Sequence, residues 1–157
     1  TYIELLIKSQ CEYVERQYCA ALLEKTVVET QLGFPQNCGP IWLAVMPVSA
    51  VTSVTYIDVD GTQQTLASSN YSLVKSQSGA CIALKATGEY PTDAAIIYNA
   101  VTITYTAGFG TAAADIPENV RLGILARIGR AHREREDSPE FKMSMSDILL
   151  SSLKRYL

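Results

Sequence analysis

The sequence predicts an α+β domain: a bundle of long N-terminal and C-terminal helices carrying a central insertion rich in β-hairpins, closed by a short C-terminal tail helix. Three observations predict it. Residues 2–24 repeat apolar side chains at helical spacing. Residues 26–106 consist of short β-branched and aromatic runs divided by glycine, proline and asparagine. Asp115-Ile116-Pro117 then opens a second helical stretch. With 157 residues, 48% hydrophobic and 18% charged, the chain has the length and composition to build one core.

The first helix is expected over residues 2–24, with Ile3, Ile7, Val14, Tyr18 and Leu22 forming a buried stripe. Glu4 with Lys8, and Glu12 with Arg16, are spaced for ion pairs on its solvated face. Residues 26–32 are β-branched and read as a strand, and 33–40, with two glycines and two prolines, as a loop. Strand pattern returns over 41–46, where Pro47 interrupts it, and over 51–58. Asp60-Gly61 supplies a tight turn back into 62–66. Residues 71–75 and 80–84 make a second hairpin across Ser78-Gly79, and 100–106 a last strand. Asp115 caps the next helix and Pro117 fits its first turn, where a missing N–H costs nothing. That helix is expected to run to Glu136, before Asp137-Ser138-Pro139. The tail helix begins near Ser146 and runs to about Tyr156. The organisation is therefore a domain over 1–136, with helices 2–24 and 117–136 around the β-rich region 26–106, and a tether with a docking segment over 137–157.

Little chemistry is legible. Cys11, Cys19, Cys38 and Cys81 form no Cys-x-x-Cys pair and His132 stands far from them, so a zinc site is not expected. The thiols read as small reduced hydrophobes of a cytosolic protein. No nucleophile or carboxylate arrangement is anchored around His132, which reads as a surface histidine between charged neighbours. Gly108-Phe109-Gly110 lacks the third glycine and the lysine of a phosphate loop. It reads as a sharp strand exit with Phe109 anchoring the loop. No catalytic residue and no cofactor are expected. The net charge of −3 argues against a general nucleic-acid binder, and no apolar run approaches the roughly 20 residues of a membrane span.

Two features suit interactions. From Arg121 to Glu136 the 117–136 helix carries Arg121, Arg127, Arg130, Arg133 and Arg135 against Glu134 and Glu136, a local surplus of three positive charges. It suits an interface or a channel wall, or else a solvated face whose basic end complements the helix dipole. Gly123 and Gly129 within it each cost about 1 kcal/mol relative to alanine, which suits close approach of another helix, from the same or a neighbouring subunit, or else one or both are simply tolerated. The tail gathers Ile148, Leu149, Leu150, Leu153, Tyr156 and Leu157 beside Lys154 and Arg155, an apolar helix on a polar tether. It suits docking into a partner's groove, or folding back on its own domain. The strands over 51–66 and 71–84 are poor in charge, and their edges can pair with neighbours.

Four segments, in order, resemble the small head–tail connector (adaptor) family of tailed bacteriophages. They are the opening helix 3–23, the hairpin from Pro47 to Gly61, the stretch from Tyr105 through Gly108-Phe109-Gly110, Asp115 and Pro117 to His132-Arg133-Glu134, and the Leu-Leu plus aromatic-basic tail 148–157. The resemblance implies a virion structural protein at the head–tail interface, assembled in the host cytoplasm. It would form a ring of about twelve copies beneath the portal, extend the DNA channel and support a stopper or tail-completion protein. It implies that the tail inserts into the portal protein and that double-stranded DNA passes transiently, with no membrane contact. It also implies a missing native beginning, since family members carry a short segment before the first helix. The same adaptor in a gene transfer agent or prophage-derived particle is the alternative. A small enzyme would need a polar pocket around His132, and a DNA-binding accessory protein would need strong, salt-dependent affinity.

Overall fold

The computed structural model describes residues 1–76, 79–133 and 145–153. Helix α1 spans Tyr2–Gln17. Seven strands follow: β1 Lys25–Gln31, β2 Ile41–Trp42, β3 Val48–Ile57, β4 Gln63–Thr65, β5 Tyr71–Ser76, β6 Gly79–Leu84 and β7 Val101–Ala107. Helix α2 spans Glu118–Arg133 and α3 Met145–Leu150, which continues as a single 3₁₀ turn over Ser151–Leu153. The α+β class expected from the sequence is the one observed. The expected ends of the second helix and of the tail helix, near Glu136 and Tyr156, fall outside the described residues.

The strands form two antiparallel sheets, ordered β1-β7-β3-β4 and β2-β6-β5. They share one core of Ile41, Leu43, Val48, Val54, Leu66, Tyr71, Ile82, Val101, Ile103 and Tyr105. β7 shows why: Val101, Ile103, Tyr105 and Ala107 are buried while the threonines between them are half-exposed, the period of two that a strand imposes. Tyr105 is fully buried and its phenol is satisfied, donating to the Glu29 carboxylate and accepting the Val45 N–H at 3.0 Å. Two register shifts in β3, around Ser49 and Thr52, bend it against β7. β3 lies inside its sheet, paired on both sides, because β7 supplies it with a second apolar strand.

The helices form a second, smaller core. Val14 and Tyr18 of α1 meet Val120 and Ile124 of α2, with Leu22, Ile116 and Leu150 closing it. α1 is shorter than its composition predicts. The chain turns at Cys19, with φ of 47°, and the Ala21 N–H donates to the Met46 carbonyl at 2.8 Å. Leu22 donates its N–H to the Glu15 carboxylate at 2.8 Å. Pairing with the sheet layer thus overrides the helix propensity of Ala20-Ala21-Leu22-Leu23.

Gly108 joins the two layers. Its φ is +139°, and a Cβ there would lie 2.5 Å from the Glu24 backbone. The strand therefore leaves the sheet tight against the segment that follows α1, and only glycine fits. The Glu24 N–H donates to the Gly110 carbonyl at 2.8 Å, and Phe109 packs on the helical core. The sharp exit and the anchoring role of Phe109 are as expected.

Candidate functional site

Among the described residues, no group of three or more histidine, cysteine, aspartate or glutamate side chains could hold a metal ion. His132 is exposed and tilts against the Tyr2 ring at 6.2 Å. The cysteines divide: Cys81 is buried and Cys11 half-buried, with burial raising both thiols, while Cys19 and Cys38 are exposed. The last two are therefore not the core hydrophobes expected. They occupy turns, each with positive φ. Two grooves of about 370 and 310 Å³ run along α1; Glu12 and Arg16 line both, and the second adds Cys19 and the ion pair of Lys25 with Glu15 at 2.8 Å. The chemistry on offer is that of surfaces.

The tail residues separate. Leu150 is 0% exposed and inserts into the helical core. A Cβ on Gly123 would lie 2.8 Å from its Cγ, which explains that glycine: α2 gives up a side chain so that α3 can seat there. Leu149 and Leu153 are half-buried and Ile148 is exposed, while Lys154, Arg155, Tyr156 and Leu157 lie outside the described residues. Within the chain, Leu150 thus belongs to the domain's own core rather than to a free apolar tail. The free surface of the described segment is on the Ile148 side.

The arginines separate too. Arg127 joins the three helices: its guanidinium lies 3.2 Å from Asp147 of α3, donates to Gln10 of α1 at 3.3 Å, and covers the Tyr13 ring at 4.2 Å. It does structural work inside the domain. Arg121 pairs loosely with Glu118 at 3.7 Å, and Arg130 is half-buried. Arg133 is exposed and donates to the Gly129 carbonyl at 3.3 Å. Arg135 lies outside the described residues.

Three apolar surfaces escape sequence reading. The first half of α1 leaves Tyr2, Ile3, Leu5 and Ile7 exposed, although Ile3 and Ile7 continue the stripe of Val14. α2 turns Leu122 and Leu125 to solvent, off the Val120–Ile124 face. The loop before β7 exposes Ile96, Ile97 and Tyr98, with Val59 exposed in the neighbouring hairpin turn. The last had a signal: three consecutive apolar residues between a proline loop and a strand, with nothing local to bury them.

Comparison with known proteins supplies the frame. No protein-family model matches the sequence, and no curated protein does. Solved structures do. A chain from the virion of a native gene transfer agent particle superposes with a TM-score of 0.81 at 17% identity, over 99% of this chain and 78% of that one. A chain from the neck of an empty particle, reconstructed with C6 symmetry, gives 0.80 at 17%, over 99% and 79%. A chain from the neck of the native particle, reconstructed with C12 symmetry, gives 0.80 at 18%, over 100% and 84%. Both layers are therefore common to the two proteins, and the fold is that of a chain in the neck of a gene transfer agent particle.

Proposed function

We propose that this chain is a structural protein of the neck of a phage-like particle, either a gene transfer agent or a tailed phage: an adaptor subunit that closes into a ring beneath the portal. The observation that carries the reading is the match in fold, over the full chain, to a chain of a neck reconstructed with C12 symmetry. Two further features support it. Polar groups at the heart of the molecule, Tyr105, Glu29, Glu15 and Arg127, are engaged in holding elements together rather than poised for reaction. Large apolar side chains stand exposed on both layers, as expected for a protein completed by assembly.

In this reading the protein catalyses nothing. It extends the DNA channel and offers a platform to the stopper or tail component, and its work is interface energy. The mildly acidic chain lets double-stranded DNA slide rather than gripping it. The tail meets the portal through Ile148 and residues 154–157, while Leu150 roots the segment on its own domain. Deleting residues 147–157 would then remove a core leucine as well as the contact, so substitutions at 154–157 separate attachment from folding. The test of the function is composition. Particles are purified and this chain quantified against the portal protein by mass spectrometry. A near-equal ratio is the expected result, and absence of the chain from particles would overturn the reading.

A further inference from the structure

Gly129 is the starting point. It sits inside α2, where glycine is costly, yet among the described residues nothing outside its own stretch of helix lies within 4 Å of the Cβ it lacks. Gly123 is explained by Leu150, whereas Gly129 has no partner of that kind. Its neighbours on the outward face are Leu122 and Leu125, seven and four residues before it in helical register, and Leu125 is 62% exposed. Among the described residues the stripe is apolar and open at its glycine, and it is bordered by Arg121 with its partner Glu118 and by Arg133, a net positive rim.

A second patch lies at the opposite end of β7. That strand starts at Val101, beside the loop, and ends at Ala107, where Gly108 passes to the helical layer. Seven residues of strand put roughly 20 Å between the two ends. At the loop end Ile96 is 86% exposed and Tyr98 85%, with Val59 beside them. The backbone fixes this patch: the Ala95 N–H donates to the Ile57 carbonyl, and the Val59 N–H to the Asp93 carbonyl. The surrounding segments, residues 57–61 and 86–99, hold Asp60, Glu89 and Asp93 exposed and no lysine or arginine.

One molecule therefore carries an apolar patch with an acidic border and an apolar stripe with a basic border, too far apart to meet each other. A cyclic ring is built from a heterologous contact, in which two different surfaces of the same chain are complementary. We infer that the 96–98 loop of one copy packs on the Leu122–Leu125–Gly129 stripe of the next, Tyr98 taking the space over the glycine and Asp60 and Asp93 facing Arg121 and Arg133. The inference rests on the ring reading proposed above and names its subunit contact. The occupant of both surfaces is a second copy of this chain.

The experiment uses the full chain incorporated into particles, with the exposed Cys19 and Cys38 changed to serine. Tyr98→Cys and Leu125→Cys are introduced separately and together, and particles are treated with a short bismaleimide. The double variant is expected to give a ladder of multimers on a denaturing gel, and each single variant monomer only. A chain present at a near-equal ratio to the portal, yet without the ladder, would overturn this contact and leave the ring reading standing. Cross-linking to the portal instead would also overturn it. Absence of the unsubstituted chain from particles would overturn both. As a second measurement, Tyr98→Asp should leave the melting temperature of the free chain unchanged and lower incorporation about tenfold, as for an aromatic anchor. Normal incorporation would count against the contact.

Discussion

The sheet layer and the helical layer of this chain solve the burial problem differently. In the sheets, the inward faces of β3, β6 and β7 fill one shared core, and the buried Tyr105 phenol has both a donor and an acceptor partner. In the helices, a smaller core is closed by a leucine from a distant segment, and exposed apolar residues remain on α1, α2 and α3. The sheet layer fills its interior from its own strands, and its exposed apolar residues, Val28, Trp42, Val74 and the 96–98 loop, lie on its outer faces and edges. The helical layer holds together with less and keeps apolar surface in reserve, the pattern of a subunit whose helices are finished by neighbours.

The comparison can be broken most severely where the layers meet. Gly108→Ala places a Cβ into the Glu24 backbone at a positive φ, with no flexible side chain to yield. The expected loss is about 3 kcal/mol or more, read from denaturant unfolding. Leu150→Ala tests the smaller core alone. It should cost about 2–4 kcal/mol, within the range for a fully buried leucine, and should leave protection of β7 amides intact. Loss of sheet protection in that variant would show that the two layers do not differ in self-sufficiency.

Gly129→Ala sharpens the contrast, because it acts oppositely on the free and assembled chain. With open space at its Cβ, the alanine should stabilise the isolated protein by up to about 1 kcal/mol, seen as a higher melting temperature. The smallest effect belongs to one turn of the sheet layer. The Gln64 side chain and the Thr62 N–H donate to the Asp58 carboxylate, and these bonds hold its pKa below the ordinary value. A lowered folded-state pKa means that its contribution is complete above the usual carboxylate range and fades as pH falls through the lowered value. The melting temperatures of the wild type and Asp58→Asn should therefore converge as the medium is acidified.

Much of this architecture was legible, for physical reasons that differ by element. β7 announces itself because its two faces have different surroundings, so Val101, Ile103 and Tyr105 alternate with threonines. Pro117 and the Asp58–Gly61 turn are local chemistry and could be read locally. The end of α1 could not, because Ala20 to Leu23 favour helix and only pairing with Met46 stops it. The position of β3 inside its sheet was hidden for the same reason: a strand's neighbours are set by distant sequence. Docking and folding back both stayed open for Leu150, because a hydrophobic tail looks the same whether its groove belongs to another chain or its own. The arginines of α2 shared a helix but not a role. Arg127 bridges three helices, and the sequence carries no mark distinguishing it from Arg133, which stays at the surface.

In this reading assembly joins the outer face of α2 to the loop before β7 and leaves the paired strands as they were. Hydrogen exchange on the free chain and on the chain in intact particles tests it directly. Added protection on assembly is expected in the outer turns of α2 and in residues 94–99, with exchange at β3 and β7 unchanged. Protection unaltered at both surfaces, or gained mainly in the sheets, would contradict it.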